Sequence, residues 1–446
     1  MKAAAKAVAS ELAEAKSTPL RAPRVVVRVR PLAATGGHSA DGKSVYKKLA
    51  KWHDGCVVLE DGHGQTEYKF ADTILDTEAT QDAVYEASAR EITRAFVQQG
   101  YNALLFAYGQ TGTGKTHTIF GPMESWTDVR HPDAGVFPRA VCEIFDTLIP
   151  VADSTSFVLT ASAMEFYMCC CTDLLDNNKP CLIGADHAPL GLCTVPLTCP
   201  EDAIGFMERV RAARTTRSTQ MNTAGNGHEG SSRSHCAMIL TLRQVDRNSK
   251  MCMRTTLNIM DMAGAERPSS NGEGHESAIK AVMDYWRGAE VSVGGQGVIV
   301  NFELSALRTA VVQATAQHRK RKPLVNAKSL GTSFVEYASG CFSGSSLLAM
   351  IVTLSPAPSC GWETWFSCTY GEDLSQLRAP VRPQKPRLIQ KVVAIAADTA
   401  TKSAADLKKT PTSGPAAKYL QKRSVQARHD KQEADLFSSL LGMVGE

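Results

Sequence analysis

Phe106-Ala107-Tyr108-Gly109-Gln110-Thr111-Gly112-Thr113-Gly114-Lys115-Thr116-His117-Thr118 joins a strand-like apolar run, Ala103 to Tyr108, to a segment that opens as a helix at Lys115. Gly109, Gly112 and Gly114 let the backbone curl so that its N–H groups converge on one point, where a side chain would obstruct. The start of a helix adds a partial positive charge at the same place. Lys115 can reach the β- and γ-phosphates of a nucleotide, and the Thr116 hydroxyl suits Mg²⁺. A Gly-x-x-x-x-Gly-Lys-Thr match between a strand and a helix makes a nucleoside triphosphate the first ligand to consider. It speaks for binding and not yet for a reaction.

Hydrolysis needs further parts, and two segments downstream supply them. Ser231-Ser232-Arg233-Ser234-His235 is a hydroxyl-rich turn leading into the strand-like Cys236 to Leu242. Asp261-Met262-Ala263-Gly264-Ala265-Glu266 follows the strand-like Thr255 to Met260. An Asp at the end of a buried strand is placed to hold a metal's water shell, and the Gly264 N–H can be offered to a γ-phosphate. In this order behind a phosphate loop, the two segments resemble the switches of a kinesin motor domain.

Further motifs carry the resemblance. Val25-Val26-Val27-Arg28-Val29-Arg30-Pro31 looks like the family's first strand and its adenine-side Arg-x-Arg-Pro motif. Gly135 to Arg139, Glu165 to Tyr167, Asp173 to Leu175, Met221-Asn222, Leu304 to Leu307 and Glu363-Thr364 also fit, in the family's order. The resemblance implies an α/β P-loop NTPase fold: a mostly parallel central sheet flanked by helices on both faces. It implies ATP and Mg²⁺ as ligands and microtubules as partner. Arg28, Arg30, Pro31, Gly109, Gln110, Thr111, Gly112, Thr113, Gly114, Lys115, Thr116 and His117 would line the nucleotide. Thr116, Ser232 and Asp261 would serve the metal. Lys115, Ser231, Ser232, Arg233, Gly264 and Glu266 would carry catalysis, with Arg233 and Glu266 pairing as the switches close. His235 reads equally well as a packed histidine.

Between the motifs the chain reads as alternating strands and helices. Phe157 to Phe166, Cys236 to Gln244, Met253 to Met260 and Leu347 to Leu354 read as strands, and Thr80 to Gln98, Glu201 to Arg214 and Phe302 to Gln317 as helices. At 446 residues the chain could hold two or three domains. The phosphate loop, Ser231 and Asp261 must nevertheless converge on one nucleotide, so one large unit over 22–380 is expected. A helical or disordered arm would precede it, over 1–21. A hydrophobic content of 43% allows a sizeable core, and a net charge of +4 is small for this length, so general polyanion binding is not indicated and no nucleic-acid partner is expected. Thirteen cysteines with no Cys-x-x-Cys pair suggest reduced thiols rather than disulfides or zinc. The absence of a long apolar run argues against a membrane span. The expected location is the cytoplasm and its microtubule cytoskeleton.

Departures from the family pattern bear on the track. Longer segments lie between Met221-Asn222 and Ser231 and between Glu266 and Val300, and loops of that size are commonly functional. Where kinesins show Ile-Asn-Lys-Ser-Leu, this chain has Val300-Asn301-Phe302-Glu303-Leu304. A lost lysine and a gained carboxylate on the track face would weaken attraction to acidic tubulin. The cation run His318-Arg319-Lys320-Arg321-Lys322 would offset that loss.

Pro380, Pro383 and Pro386 remove backbone donors from the segment that docks along the core in kinesins, so weak or absent processive stepping is expected. Residues 381–446 carry twelve lysines and arginines against six acids and read as a mostly disordered basic tail. Leu436, Phe437, Leu440, Leu441 and Val444 form a helical stripe within it for an unknown cargo or partner. A microtubule motor, a nucleotide-gated holder without productive motility, and a P-loop NTPase with another partner all remain open.

Overall fold

The computed structural model describes residues 19–32, 47–53, 55–184, 187–221, 233–265, 293–319, 332–408 and 415–442, with six further positions between 280 and 291. Its strands in chain order begin with β1 (Arg24–Val29), a side sheet of β2 (Lys47–His53), β3 (Cys56–Asp61) and β4 (Gly64–Tyr68), then β5 (Thr73–Leu75) and β6 (Asn102–Tyr108). There follow β7 (Thr155–Tyr167), β8 (Cys170–Asp173), β9 (Lys179–Pro180), β10 (Leu182–Ile183), β11 (Pro189–Leu190) and β12 (Val195–Leu197). The last four are β13 (His235–Asp246), β14 (Met251–Asp261), β15 (Ser346–Leu354) and β16 (Arg387–Leu388). The helices are α1 (Gln81–Ser88), α2 (Arg90–Gln98), α3 (Lys115–Phe120), α4 (Val136–Leu148), α5 (Asp202–Met221), α6 (Val293–Arg319), α7 (Ser333–Gly340), α8 (Gly361–Ser375), α9 (Ile389–Lys408) and α10 (Pro415–Gly442).

The main sheet runs β5-β1-β15-β6-β14-β13-β7-β8-β9, with β12 on β7 and β16 on β14. From β5 to β14 the pairing is parallel. Strands buried on both faces favour near-continuous apolar sequence, and all nine residues of β15 are buried, Leu347 to Val352 forming its apolar run. Beyond β14 the sheet turns antiparallel, so it is mixed, with less parallel pairing than the sequence suggests. The cause is local. Asp246 accepts from the Ser249 backbone at 2.6 Å and Lys250 takes a positive φ of 56°, closing β13 onto β14 as a hairpin.

Two apolar clusters cover the two faces. One packs Val300, Leu304, Leu307, Val311, Phe334 and Tyr370 of α6, α7 and α8 against β1, β6 and β15. The other packs Val84, Phe96, Phe137, Ile144 and Phe206 of α1, α2, α4 and α5 on the opposite side. The helix read over Thr80 to Gln98 is two helices. The Thr80 hydroxyl caps the first by accepting from the Ala83 N–H at 3.2 Å, and Ala89 breaks the pair.

The chain after α8 departs most from expectation. The prolines do not prevent docking, because the other residues supply the donors. Ala379 and Arg21 exchange backbone hydrogen bonds at 2.8 and 3.0 Å, Gln384 donates to Gly100 at 2.7 Å, β16 pairs with Met251 and Cys252, and Ile389 donates to Lys250 at 3.2 Å. Instead of solvated chain, α9 and α10 follow. Phe437 and Leu440 of the predicted stripe pack with Ile389 on Val245 and Cys252 of the β13–β14 hairpin. Glu433 accepts from the Arg243 Nε at 2.6 Å and is paired with its Nη2 as well. Among the described side chains Lys391, Lys402, Arg428 and Lys431 are exposed, while Ala396, Ala427, Ala434, Phe437 and Leu440 are buried. Among the described residues no helix is long and apolar enough to cross a membrane.

Candidate nucleotide site

Strand β6 delivers the glycine-rich loop at the sheet centre, between β15 and β14. Gly109 is required by close approach: a Cβ there would lie 2.4 Å from the Thr353 carbonyl oxygen on β15. Gly112 and Gly114 take φ of 79° and 97°, in the left-handed region glycine enters without strain. Thr113 braces the turn, its hydroxyl 2.7 Å from both the Gln110 carbonyl and the Thr353 hydroxyl. The buried Lys115 folds its ammonium into the loop, donating to the Gly109 and Gln110 carbonyls at 2.9 Å each.

Asp261, at the end of β14 and 1% exposed, meets this loop. Its Oδ2 accepts from the Thr116 hydroxyl at 2.8 Å and from Arg214 of α5 at 3.1 Å. Its Oδ1 is buried and makes no hydrogen bond among the described residues. A buried carboxylate oxygen costs about 1–3 kcal/mol when left unsatisfied, so this geometry suits a cation's water shell. Thr116 and Asp261 therefore fit Mg²⁺ on chemical grounds.

The segment after Asp261 is tied down twice. Ala263 donates its N–H to His235 Nδ1 at 3.1 Å, and Ala265 donates to the Gly109 carbonyl at 3.3 Å. Gly264 sits between these anchors. Ser234 donates to Glu165 at 2.6 Å, and Arg214 bridges Ser234 to Asp261. Sequence reasoning missed Arg214, a lone charged residue in a helix with no motif around it, and read Glu165 only as part of a family motif, with no role in the site. Arg233 donates to Gln296 of α6 at 3.3 Å. Its expected partner Glu266, together with Ser231 and Ser232, lies outside the described residues.

Arg28 and Arg30 approach from β1. Burial lowers the Arg28 guanidinium to about 10, which still leaves it charged at neutral pH. Arg28 donates to Thr118 at 2.8 Å and to Gln81 at 3.0 Å. Gln81 donates to the His117 carbonyl at 2.7 Å, and burial, then the Arg28 charge, depresses the His117 imidazole. Arg30 donates to the Gly112 carbonyl, with Pro31 beside it. The two arginines and His117 thus flank the loop on the side away from Asp261.

Glu303 is where the structure overturns the sequence reading. It is 1% exposed, facing His235 Nε2 at 4.0 Å, so it adds no charge to an outer surface. Burial pushes its carboxyl up to about 8 and keeps it neutral at pH 7. His235 stacks on Phe334 with ring centroids 4.0 Å apart, and burial lowers its pKa to about 3. The neighbouring Phe302 is the one exposed, at 40%. His318 is also buried, its Nε2 2.9 Å from the Phe342 carbonyl, and so leaves the cation run.

The chain that builds this site is matched over residues 28–377 by the family model described as the kinesin motor domain. The chain belongs to the kinesin motor domain family. Kinesin heavy chain isoform 5C of Homo sapiens is 30% identical over 295 residues, covering 65% of this chain and 28% of that protein. Kinesin-like protein KIN-12G of Oryza sativa subsp. japonica is 27% identical over 368 residues, covering 80% of this chain and 27% of its own length. This kinesin motor domain chain spans about a quarter of the length of those relatives. A fast kinesin structure superposes with a TM-score of 0.65 at 22% identity, covering 82% of this chain and 94% of that one. A KIF14 dimer in complex with a microtubule superposes at 0.64 and 23% identity, covering 82% and 96%. At these identities the superpositions support the fold alone.

Proposed function

We propose that this chain is an ATP-hydrolysing, microtubule-binding kinesin motor unit. The observation that carries the reading is the joint between β6 and β14, where Thr116 donates to Asp261, Lys115 donates to the Gly109 carbonyl and Ala265 ties the segment beyond Asp261 to that same carbonyl. Lys115, released from the loop carbonyls, would follow the charge that spreads over the transferred phosphoryl oxygens. Thr116, Ser232 and Asp261 would hold Mg²⁺, which when bound neutralises phosphate charge. Gly264 and the Arg233–Glu266 pair would sense the γ-phosphate and align water, with Ser231 beside it. Arg28, Arg30, Pro31 and His117 would receive the base. The cytoplasmic microtubule array is the corresponding location, and the C-terminal helices are the surface for any cargo.

ATP turnover measured with and without microtubules tests this, with Lys115→Ala as the blank. Microtubule stimulation in the native chain and loss of at least about a hundredfold in the variant are expected. Turnover indifferent to Lys115 would sink the reading.

A second reading is favoured by the post-core segment. Its docking on Gly100, Lys250 and β14, with α9 and α10 clasping beyond it, supports a nucleotide-gated holder that grips without productive motility. Microtubule co-sedimentation that follows the nucleotide, without gliding, would distinguish it.

A further inference from the structure

The cysteine pattern suggests inert reduced thiols, and none of the thirteen is in a disulfide. Two of them stand apart by geometry. Strands β8 and β9 pair Thr172 with Pro180 and Asp173 with Lys179, and the Cys181 N–H continues the ladder to the Cys171 carbonyl at 3.1 Å. Cys171 and Cys181 are therefore direct cross-strand neighbours. Their Sγ atoms are 3.0 Å apart. Hydrogen-bonded cross-strand residues have Cα atoms about 5.5 Å apart, inside the window a disulfide bridges, and the sulfurs need close by only about 1 Å. Cys170 does not compete on this face, since successive side chains of a strand point to opposite sides, and Thr172 on the other flank of Cys171 carries no thiol.

We propose that Cys171 and Cys181 form a reversible redox modification site, a dithiol that glutathione-type disulfides convert to an intramolecular disulfide. Access fits the order of events. Cys181 is partly exposed and Cys171 is buried. The Cys181 thiolate attacks a sulfur of glutathione disulfide, forming a mixed disulfide and releasing one glutathione thiolate. The Cys171 thiolate then attacks the Cys181 sulfur, forming the protein disulfide and releasing the second glutathione. Both protein sulfurs are oxidised, one glutathione disulfide is reduced to two thiols, and the two protons pass to the departing glutathiones. The second attack needs no path from solvent to Cys171.

The pair ionises as a unit: a hydrogen bond from the Cys181 thiol holds Cys171 below the usual thiol range despite burial, and the same bond raises Cys181. When the pair loses a proton the charge settles on Cys171, so exposure and not acidity selects Cys181 as the first nucleophile, once its own proton has passed to Cys171 across the 3.0 Å contact. Cys169, by contrast, is pushed up to about 12, by burial first and then by Glu303 and Cys170, and is a poor competitor.

The location gives the modification a consequence. Cys181 leads directly into the β10–β11 flap, and His187, between those two strands, has its Nδ1 2.6 Å from the Glu336 carbonyl of α7. The α7 start is held from the other side, Ser333 donating to the Cys169 carbonyl at 3.2 Å. A disulfide would pin the flap, and with it the seat of α7, to the sheet edge.

The test is to incubate the folded native chain with glutathione disulfide, block remaining thiols under denaturing conditions with N-ethylmaleimide, and map the peptides by mass. The expected result is a Cys171–Cys181 linked pair lacking two hydrogens, lost on dithiothreitol treatment, with slower amide exchange across 333–340 in the oxidised form. Cys181→Ser should leave Cys171 fully blocked by maleimide, and Cys171→Ser should trap glutathione on Cys181. Both thiols recovered as maleimide adducts, a persistent mixed disulfide in the native chain, or a preferred link to Cys169 or Cys170 would each overturn the proposal.

Discussion

A carboxyl group buried beside an imidazole and away from solvent is forced to choose a protonation state, and Glu303 chooses the neutral one. The groups facing it are His235, the Thr332 hydroxyl and the Cys169 backbone; Arg214 and Lys115 act on His235 from beyond. Its pKa is raised by burial to about 8 in the folded chain, so the folded state binds a proton that the unfolded state has released above its ordinary 4.5. The stability this contributes is complete below about pH 4.5 and is lost as pH rises towards 8. His235 runs the other way, lowered by burial to about 3, so its contribution recovers as pH rises to 6.5. Between pH 6.5 and 8 only the Glu303 loss remains, worth about 1–2 kcal/mol. Glu303→Gln mimics the neutral acid. Urea midpoints should fall over that window in the native chain and stay flat in the variant; parallel curves would show that Glu303 ionises freely. Matching to a family motif misplaces this residue because a motif gives position along a helix, not which side of the helix faces the core.

At the scale of elements, the parts set by local pattern were legible and the parts set by partners were not. The apolar run of β15 from Leu347 to Val352, the glycine loop and the Asp261 strand end follow from residue type and spacing. The antiparallel half of the sheet depends on the short turn at Asp246 to Lys250, which an alternating strand-and-helix reading passes over. The C-terminal helices depend on a mate: α10 finds Arg243, Val245 and Cys252 far away in sequence, and only the Phe437 and Leu440 stripe announced it. Glu433 is the polar anchor of that contact, with Arg254 at 3.7 Å and His429 at 3.9 Å as outer partners. Removing one partner of a largely buried pair leaves an uncompensated charge, at a cost of about 3–5 kcal/mol. Glu433→Ala should therefore raise amide exchange over 424–442 by roughly a hundredfold or more while leaving β6 and β15 unchanged. Unaltered protection would mean that apolar packing alone seats the helix.

For the whole molecule the question is whether the nucleotide site and the post-core segment move together. The glycine loop and the segment beyond Asp261 meet where Ala265 donates to Gly109, at the ends of β6 and β14. The post-core segment is fastened at the opposite ends of those strands: Gln384 to Gly100 before β6, and Leu388 and Ile389 to Met251 and Lys250 at the start of β14. A signal between them must therefore travel the length of two strands whose neighbours are buried on both faces. Such a packed sheet resists bending, and each fastening hydrogen bond adds about 1 kcal/mol to the hold before the helix contact is counted. Release of the segment would also require α9 to part from Val245 and Cys252, exposing the Ile389 and Phe437 cluster. We therefore expect the amides of Gln384, Leu388 and Ile389 to exchange equally slowly with ADP and with a non-hydrolysable ATP analogue bound. Hydrogen exchange resolved by peptide mass reads this directly on the native chain. A segment that opens in one nucleotide state and closes in the other would instead make it the moving lever of a stepping motor.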